Sequence, residues 1–422
     1  MNRGQWLDAA AALALLHVRA QTLYANVSRG RIRARPDPEQ PRRSLYHAED
    51  VRLWAQRRRG QPRRERVAAG TIAWGDPILP SAISTVAHGR LWYRGQDAVQ
   101  LSERADLEQV AALLWELPAQ PRSPPTARHT AHTTDGGGAL QAAYRELALR
   151  AGRDAPMYGR AATALRAEAV LLYAGLSHAI LQAIAAQGHP RARTRRATSP
   201  LHIRLADAWR QPRAADAIRR ALVLLADHEL NASTFATRVA ASTGAALSAS
   251  VLAGFATLSG PMHGGAAAAI RALVEAAQAT DAERAILAAL AQGQTLGAFG
   301  HPLYPDGDVR AAALLRRLTV PPLYQSLRSA AQQLLGEAPN VDFALCALAA
   351  AMRLPADAPF VLFALARGVG WIAHALEQRL AGTLIRPRAR YIGAPIESAQ
   401  SERVPTNRQM NAAVESSAAL RR

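Results

Sequence analysis

Lysine is missing from this chain: all 51 basic residues are arginine, set against 32 acids. A net charge of +19 would ordinarily point to a polyanion. With no lysine and abundant alanine, however, it reads as a genome-wide codon bias, so where the arginines fall matters more than their number. Cysteine occurs once, at Cys346, which excludes an internal disulfide framework and fits a reducing cytosol. Its neighbours, Phe343 to Leu348, are apolar, so a buried, inert thiol is expected. Aromatics make up only 5% while 49% of residues are hydrophobic, largely alanine and leucine, a mixture suited to an all-α protein with closely approaching helices. No run of about 18 uncharged apolar residues stands out. Nor does Met1 to Asp8 show a signal-peptide pattern, so no membrane partner and a cytoplasmic location are expected. No HExxH pattern is present, and the histidines lack metal-ligand spacing; no metal is expected.

At 422 residues the chain exceeds what one core supports, since single cores stop growing near ~250–300 residues. Residues 1–66 hold 15 arginines and 6 acids, roughly half the net charge. Leu7 to about Leu16 and Ala20 to about Arg29 read as two short helices. Gly30 ends the second. Arg31–Arg35 and Arg42–Tyr46 flank a proline-rich turn like two strands of a wing, and His47 to Arg59 reads as a third helix. The helix pair, the phrase from Thr22 to Ile32 and Tyr46 ahead of the third helix resemble the winged helix-turn-helix modules of excisionase and merR-type regulators. That resemblance implies a DNA-binding domain over 1–60. Gln21, Thr22 and Asn26 would lie near base edges, with Arg29, Arg42 and Arg43 on phosphates. Read without it, the segment is equally a helical hairpin kept for packing or assembly.

A polar linker is expected over 61–70 and a poorly patterned, disordered tail over 396–422. Two loops interrupt the rest, Pro118–Gly138 and Gly188–Pro200. Alternation through Gly89–Tyr93 suits a short hairpin. Helical patterns cover 139–187, 203–229, 234–258, 265–277, 281–292, 308–318, 322–336, 341–353 and 360–380.

Two glycine-rich turns stand out, Gly260-Pro261-Met262-His263-Gly264-Gly265-Ala266 and Gly297-Ala298-Phe299-Gly300-His301-Pro302-Leu303-Tyr304. Glycine lets the backbone bend sharply and approach a ligand. A histidine fixed in such a turn can direct a ring N–H at a substrate oxygen or pass a proton near neutral pH. Either histidine taken alone also fits a helix or turn cap. Two in similar frames, with Arg310 nine residues after the second, favour a site.

From about residue 72 to 393 the chain resembles citrate synthase. The phrases that carry the likeness are Ala87–Gly95, Ala226–Thr234, the two histidine turns, Asn340–Phe343, Ala366–Gln378 and Arg386–Tyr391, in that order. The resemblance implies an all-α, two-lobed catalytic domain over 71–395, with a small lobe at about 264–345. Acetyl-CoA would be condensed with oxaloacetate without a tightly bound cofactor; propionyl-CoA, giving 2-methylcitrate, is the near alternative. It also implies roles. Asp342 would be the base on the acetyl methyl, His263 the donor to the thioester oxygen, and His301 the group that polarises and protonates the oxaloacetate ketone. His228, Arg310, Arg367 and Arg386 would hold oxaloacetate, Arg386 reaching from the neighbouring subunit of a homodimer. Blander readings remain for single residues: Asp342 as a helix N-cap, His228 in a surface charge cluster, Arg367 in a helix-end salt bridge. Three features depart from the family pattern. Ala267 stands where asparagine is common, Pro305 follows Tyr304 in place of lysine, and Val309 precedes Arg310 in place of proline. A regulator that uses this fold to sense a metabolite is the rival from another class.

Overall fold

Alanine- and leucine-rich stretches become helices, and short polar side chains set where many begin. Asp106 accepts the Gln109 N–H at 2.9 Å while the Gln109 side chain accepts the Asp106 N–H at 2.9 Å, a reciprocal cap for Leu107–Leu114. Asn231, Asp281, Asp308 and Asn340 cap Ala232–Ser242, Ala282–Ala291, Val309–Arg316 and Val341–Ala351. Gly336 and Gly382 end Pro322–Leu335 and Ala358–Ala381 in the left-handed conformation. The computed structural model describes residues 6–16, 20–28, 30–38, 40, 43–58, 79–118, 137–187, 199–294, 296–387 and 393. The expected linker at 61–70, most of both long loops and the tail from 396 lie outside these residues. The chain divides into two units, 1–385 and 386–422. Of the second, Arg386, Pro387 and Gly393 are described, all exposed.

The N-terminal segment has its own small core of Ala12, Leu16, Leu23, Ile32, Tyr46 and Val51. Around it stand helices Ala9–Leu16, Ala20–Ser28 and Ala48–Arg58, with a three-stranded antiparallel sheet. Ser44–His47 is the central strand, pairing Tyr46 with Ala34 on one side and His47 with Trp6 on the other. The strand Trp6–Leu7 goes beyond the two expected, being too short to show alternation.

The larger core is helical. Ala232–Ser242 and Leu247–Leu258 lie against each other, and Ala358–Ala381 packs on both as well as on Ala215–Leu225 and Ala162–Gln187. Ala266–Ala279, Ala282–Ala291 and Pro322–Leu335 pack together, and Val341–Ala351 joins Ala266–Ala279 to Val309–Arg316 and Ala358–Ala381. Three expected helical stretches break. Gly152 and Gly159 lie between Ala139–Ala151 and Ala162–Gln187; Arg210 at φ 55° precedes Pro212; and Gly244 at φ 81° separates Ala232–Ser242 from Leu247–Leu258. The expected hairpin is a three-stranded sheet of Ser84–Ala87, Arg90–Tyr93 and Gln96–Asp97.

Contrary to the reading of no long apolar run, two helices are long and apolar enough to cross a membrane by length and composition. Ala358–Ala381 has 94% of its apolar window buried and Ala162–Gln187 has 50%, which marks the first as a core helix. Cys346 is buried as expected, and burial pushes its thiol up to about 12.

Candidate active site

The second histidine turn is stitched to the start of Val341–Ala351. The Gly300 N–H donates to Ala338 O at 2.8 Å and the Asn340 N–H to Ala298 O at 3.0 Å. The Asn340 side chain donates to Gly297 O at 2.6 Å, and its Oδ1 accepts the N–H groups of Asp342 and Phe343 at 3.1 and 3.3 Å. Asn340 is thus the helix cap, which leaves the Asp342 carboxylate without that duty. Gly300 sits at φ 71°, where any other residue is strained, and a Cβ there would also displace the Glu337 carboxylate. Asp308 adds a further stitch: Oδ2 accepts the Val341 N–H at 3.0 Å while the same carboxylate holds Arg310.

His301 and His228 stand edge to face with ring centroids 5.1 Å apart, and Tyr304 lies 5.1 Å from His301. The Tyr304 hydroxyl is 3.0 Å from His228 Nε2. His301 Nδ1 accepts the Leu303 N–H at 3.1 Å, so in the neutral ring the proton sits on Nε2, which is then a donor. His263 Nε2 is 2.9 Å from Ser233 Oγ, which also receives the Trp371 indole N–H at 3.1 Å. Burial, with the charge of Arg367, pushes His263 down to about 4. Burial, with Arg310, does the same to His301. His228 is held well below the usual imidazole range by burial and then by Arg310, His301, Arg367 and His263. All three imidazoles are therefore neutral at pH 7.

Arg310 and Arg367 are buried, 2% and 1% exposed. Arg310 lies over the Tyr304 ring, and Arg367 over the Phe363 ring with its Nε–H donating to Leu225 O at 3.1 Å. Burial lowers Arg367 to about 10 against the pull of Asp227. Asp342 is half-buried. Burial raises it to about 6, Arg310 and Arg367 opposing and Asp308 adding to the rise. A carboxylate poised near neutrality and acted on by Arg310 and Arg367, the two guanidinium groups that with burial also hold the imidazoles neutral, can take a proton from a weak carbon acid.

Residues 72–388 match the family model described as citrate synthase, C-terminal domain. The chain belongs to the citrate synthase family. Citrate synthase of Haloferax volcanii is 38% identical over 191 residues, 42% of this chain and 50% of that protein. The 2-methylcitrate synthase of Mycobacterium tuberculosis is 33% identical over 188 residues, 42% of this chain and 48% of that one. The chain spans about half the length of the curated relatives it matches. Among solved structures, citrate synthase from Thermotoga maritima has a TM-score of 0.62 at 23% identity, covering 78% of this chain and 97% of that one. The enzyme from Thermoplasma acidophilum, solved with carboxymethyl coenzyme A and oxaloacetate, also has a TM-score of 0.62, at 21% identity over 76% of this chain and 95% of that one. These likenesses show the fold.

Of the residues singled out in sequence, His228, His263, His301, Arg310, Asp342 and Arg367 converge within this citrate synthase fold. His228 and His301 stand edge to face with Tyr304 against both and Arg310 over the Tyr304 ring, and His263 and Arg367 both lie against the Phe363 ring. Arg310 and Arg367 are the charges that oppose the rise at Asp342. His228 is buried, not in a surface charge cluster. Arg386 is exposed and belongs to the second unit. For the N-terminal candidates the picture differs. Arg29 and Arg42 lie outside the described residues, as do the side chains of Gln21 and Thr22 within Ala20–Ser28. Arg43 is exposed in a turn, its N–H donating to Gln40 O at 2.8 Å. Asn26 corrects an expectation: it is 2% exposed and its Oδ1 accepts from Arg31 Nη1 at 3.3 Å, so it faces the module's interior and not a base edge. Sequence reading missed Ser233, Tyr304 and Asp308. All three stand inside or beside the quoted phrases, but their partners lie on other segments or in the same turn, where no spacing rule reveals them.

Proposed function

We propose that the chain condenses acetyl-CoA with oxaloacetate and water, giving citrate and CoA. The observation that supports this reading is a half-buried Asp342, raised to about 6 and acted on by Arg310 and Arg367, the same two buried guanidinium groups that act on the imidazoles of His301, His263 and His228. Asp342 removes a methyl proton from acetyl-CoA while His263 donates to the thioester oxygen, which becomes the enol oxygen. Ser233 Oγ donates to Asn231 Oδ1 at 2.7 Å, so for His263 to donate from Nδ1 the Ser233 hydroxyl must turn its proton from Asn231 to Nε2, 2.9 Å away. The enol carbon then attacks the ketone carbon of oxaloacetate. His301 donates from Nε2 to the ketone oxygen and gives it that proton as the new carbon–carbon bond forms. Asp342 then loses the methyl proton to solvent and His301 regains one from solvent, so both begin the next turnover as before. His228, Arg310 and Arg367 hold the dianion, with Arg386 of a second copy completing the clamp in a homodimer. Lobes at about 71–263 with 346–395 and at 264–345 close to exclude water until citryl-CoA has formed, and water then releases citrate and CoA. With no lysine in the chain, arginine takes any CoA phosphate contact.

Free-thiol release from acetyl-CoA and oxaloacetate tests the reading. Wild type turns over, and Asp342→Ala loses about 10²–10⁴-fold. No turnover by wild type with either acetyl-CoA or propionyl-CoA rejects it. The ratio of the two acyl-CoAs decides between citrate and 2-methylcitrate formation, since one methylene changes selectivity by about 1–3 kcal/mol.

A second reading comes from the 15 arginines and 6 acids in residues 1–66 and from the three helices and small sheet there. On this reading the segment is a winged helix-turn-helix module that binds DNA and makes the chain a metabolite-sensing regulator. Gel shifts at stated salt concentrations test it, and binding indifferent to operator sequence and to oxaloacetate rejects it.

A further inference from the structure

Polar side chains outside the cluster converge on Asp227 and Glu229, the two residues that flank His228. Ser84, on the first strand of the small sheet, donates its hydroxyl proton to Asp227 Oδ2, and its oxygen accepts the Glu229 N–H at 2.9 Å. One hydroxyl therefore bridges the residues on either side of His228. Glu229 is pinned again: its Oε1 accepts from Thr85 Oγ1 at 3.1 Å and from the Val86 N–H. Glu229 stands at φ 52°, a conformation few side chains adopt unless their surroundings impose it. Asp227 is wholly buried, and Oδ2 is also 3.2 Å from His374 Nε2 on the Ala358–Ala381 helix. Its Oδ1 has no hydrogen-bond partner, so the carboxylate is kept where it is at a cost that packing alone does not explain.

We propose that Ser84, Asp227, Glu229 and His374 act as a positioning clamp that fixes the backbone at His228, so that its imidazole meets oxaloacetate in one orientation. The proposal rests on the reading of His228 as an oxaloacetate ligand. A histidine side chain has two soft torsions. With its backbone held on both flanks and Nε2 at the Tyr304 hydroxyl, little freedom is left to lose on binding. The same carboxylate sets the electrostatics behind the site. Burial alone would raise Asp227, but His374 and Arg367 outweigh it and hold the group below its ordinary range, and its pull is the largest of the charges acting on Arg367. None of the four need touch substrate; they act through His228.

The test measures oxaloacetate binding alone by titration calorimetry, together with KM for acetyl-CoA, in full-length protein. Ser84→Ala weakens oxaloacetate binding on the order of tenfold while leaving the acetyl-CoA KM unchanged, and Ser84→Thr, which keeps the hydroxyl, restores it. In a His228→Ala background, Ser84→Ala causes no further loss, because the clamp then has nothing to orient. Glu229→Ala, which removes the oxygen that accepts from Thr85 and Val86, provides an independent arm should Ser84→Ala fold poorly, and weakens oxaloacetate binding in the same way. Unchanged binding in both variants overturns the clamp, as does an equal loss with and without His228. Wild type that binds no oxaloacetate overturns the underlying function reading instead, so the two failures are distinct.

Discussion

Asp308 grips the Arg310 guanidinium at two points, Oδ1 accepting from Nε at 2.9 Å and Oδ2 from Nη2 at 2.8 Å. Their side chains are 1% and 3% exposed, and Oδ2 also takes the Val341 N–H that opens the Asp342 helix. One buried carboxylate thereby holds both a substrate-holding candidate and the start of the helix that carries the proposed base. Asp308→Asn leaves Arg310 buried without its counter-charge, and breaking such a pair costs about 3–5 kcal/mol. Urea denaturation at pH 7 reads this as a lower midpoint with little change in slope. Burial alone would raise Asp308, but Arg310 outweighs it and holds the group below its ordinary range. Its contribution to stability is therefore present above that range and is lost as pH falls through the lowered folded value. The variant's stability should be flatter in acid than wild type.

Asp342 has the opposite sign. Burial raises it from 3.8 to about 6, so the folded state binds the proton more tightly than the unfolded chain. Stability from this group falls as pH rises between those values, and above them its charge costs up to about 3 kcal/mol. If Asp342 is the base, as proposed, turnover uses its charged form, so kcat/KM should rise with pH through about 6 along a limb of one proton, since His263 and His301 are pushed down to about 4. Asp342→Asn should be inactive yet more stable than wild type at pH 8. A less stable Asn variant would mean the carboxylate is a structural anchor and not a base held at a cost.

Gly370 lies where Ala358–Ala381 crosses the end of Ala215–Leu225. A Cβ there would stand 2.3 Å from Asp227 Oδ1 and 2.5 Å from Ala226 O, and the Gly370 N–H donates to Ala226 O at 3.0 Å. Gly370→Ala must push these segments apart, at a cost of about 1–3 kcal/mol or more. Thermal melting should fall by several degrees, with oxaloacetate binding weakened beyond what the lost stability explains. A variant that melts and binds like wild type would show that this contact tolerates expansion.

Helices were legible because apolar periodicity and caps are local: Asp281 and Asn231 mark their starts without help from elsewhere. Breaks were less so. Gly244 interrupts a pattern that stays apolar on both sides, and alanine, found on buried and exposed faces alike, blurs the phase. The histidine turns were visible through their flanking glycines. What could not be read was which side chain serves which. Asn340 and Asp342 both suit a helix start, and only the carbonyls of Gly297 and Gly300 decide that Asn340 is the cap. Asn26, polar and mid-helix, looked outward, whereas a bond from Arg31 turns it in. Ser84 gave no signal, since its meaning depends on two residues more than 140 positions away.

Asp227 is tied to Ser84, 143 positions earlier, and to His374, 147 positions later. A growing polypeptide on the ribosome would thus leave Asp227 without these partners until most of residues 72–388 had emerged. Loop closures of that span are slow. Truncation anywhere before the Ala358–Ala381 helix should leave an inert chain, not a weakened one.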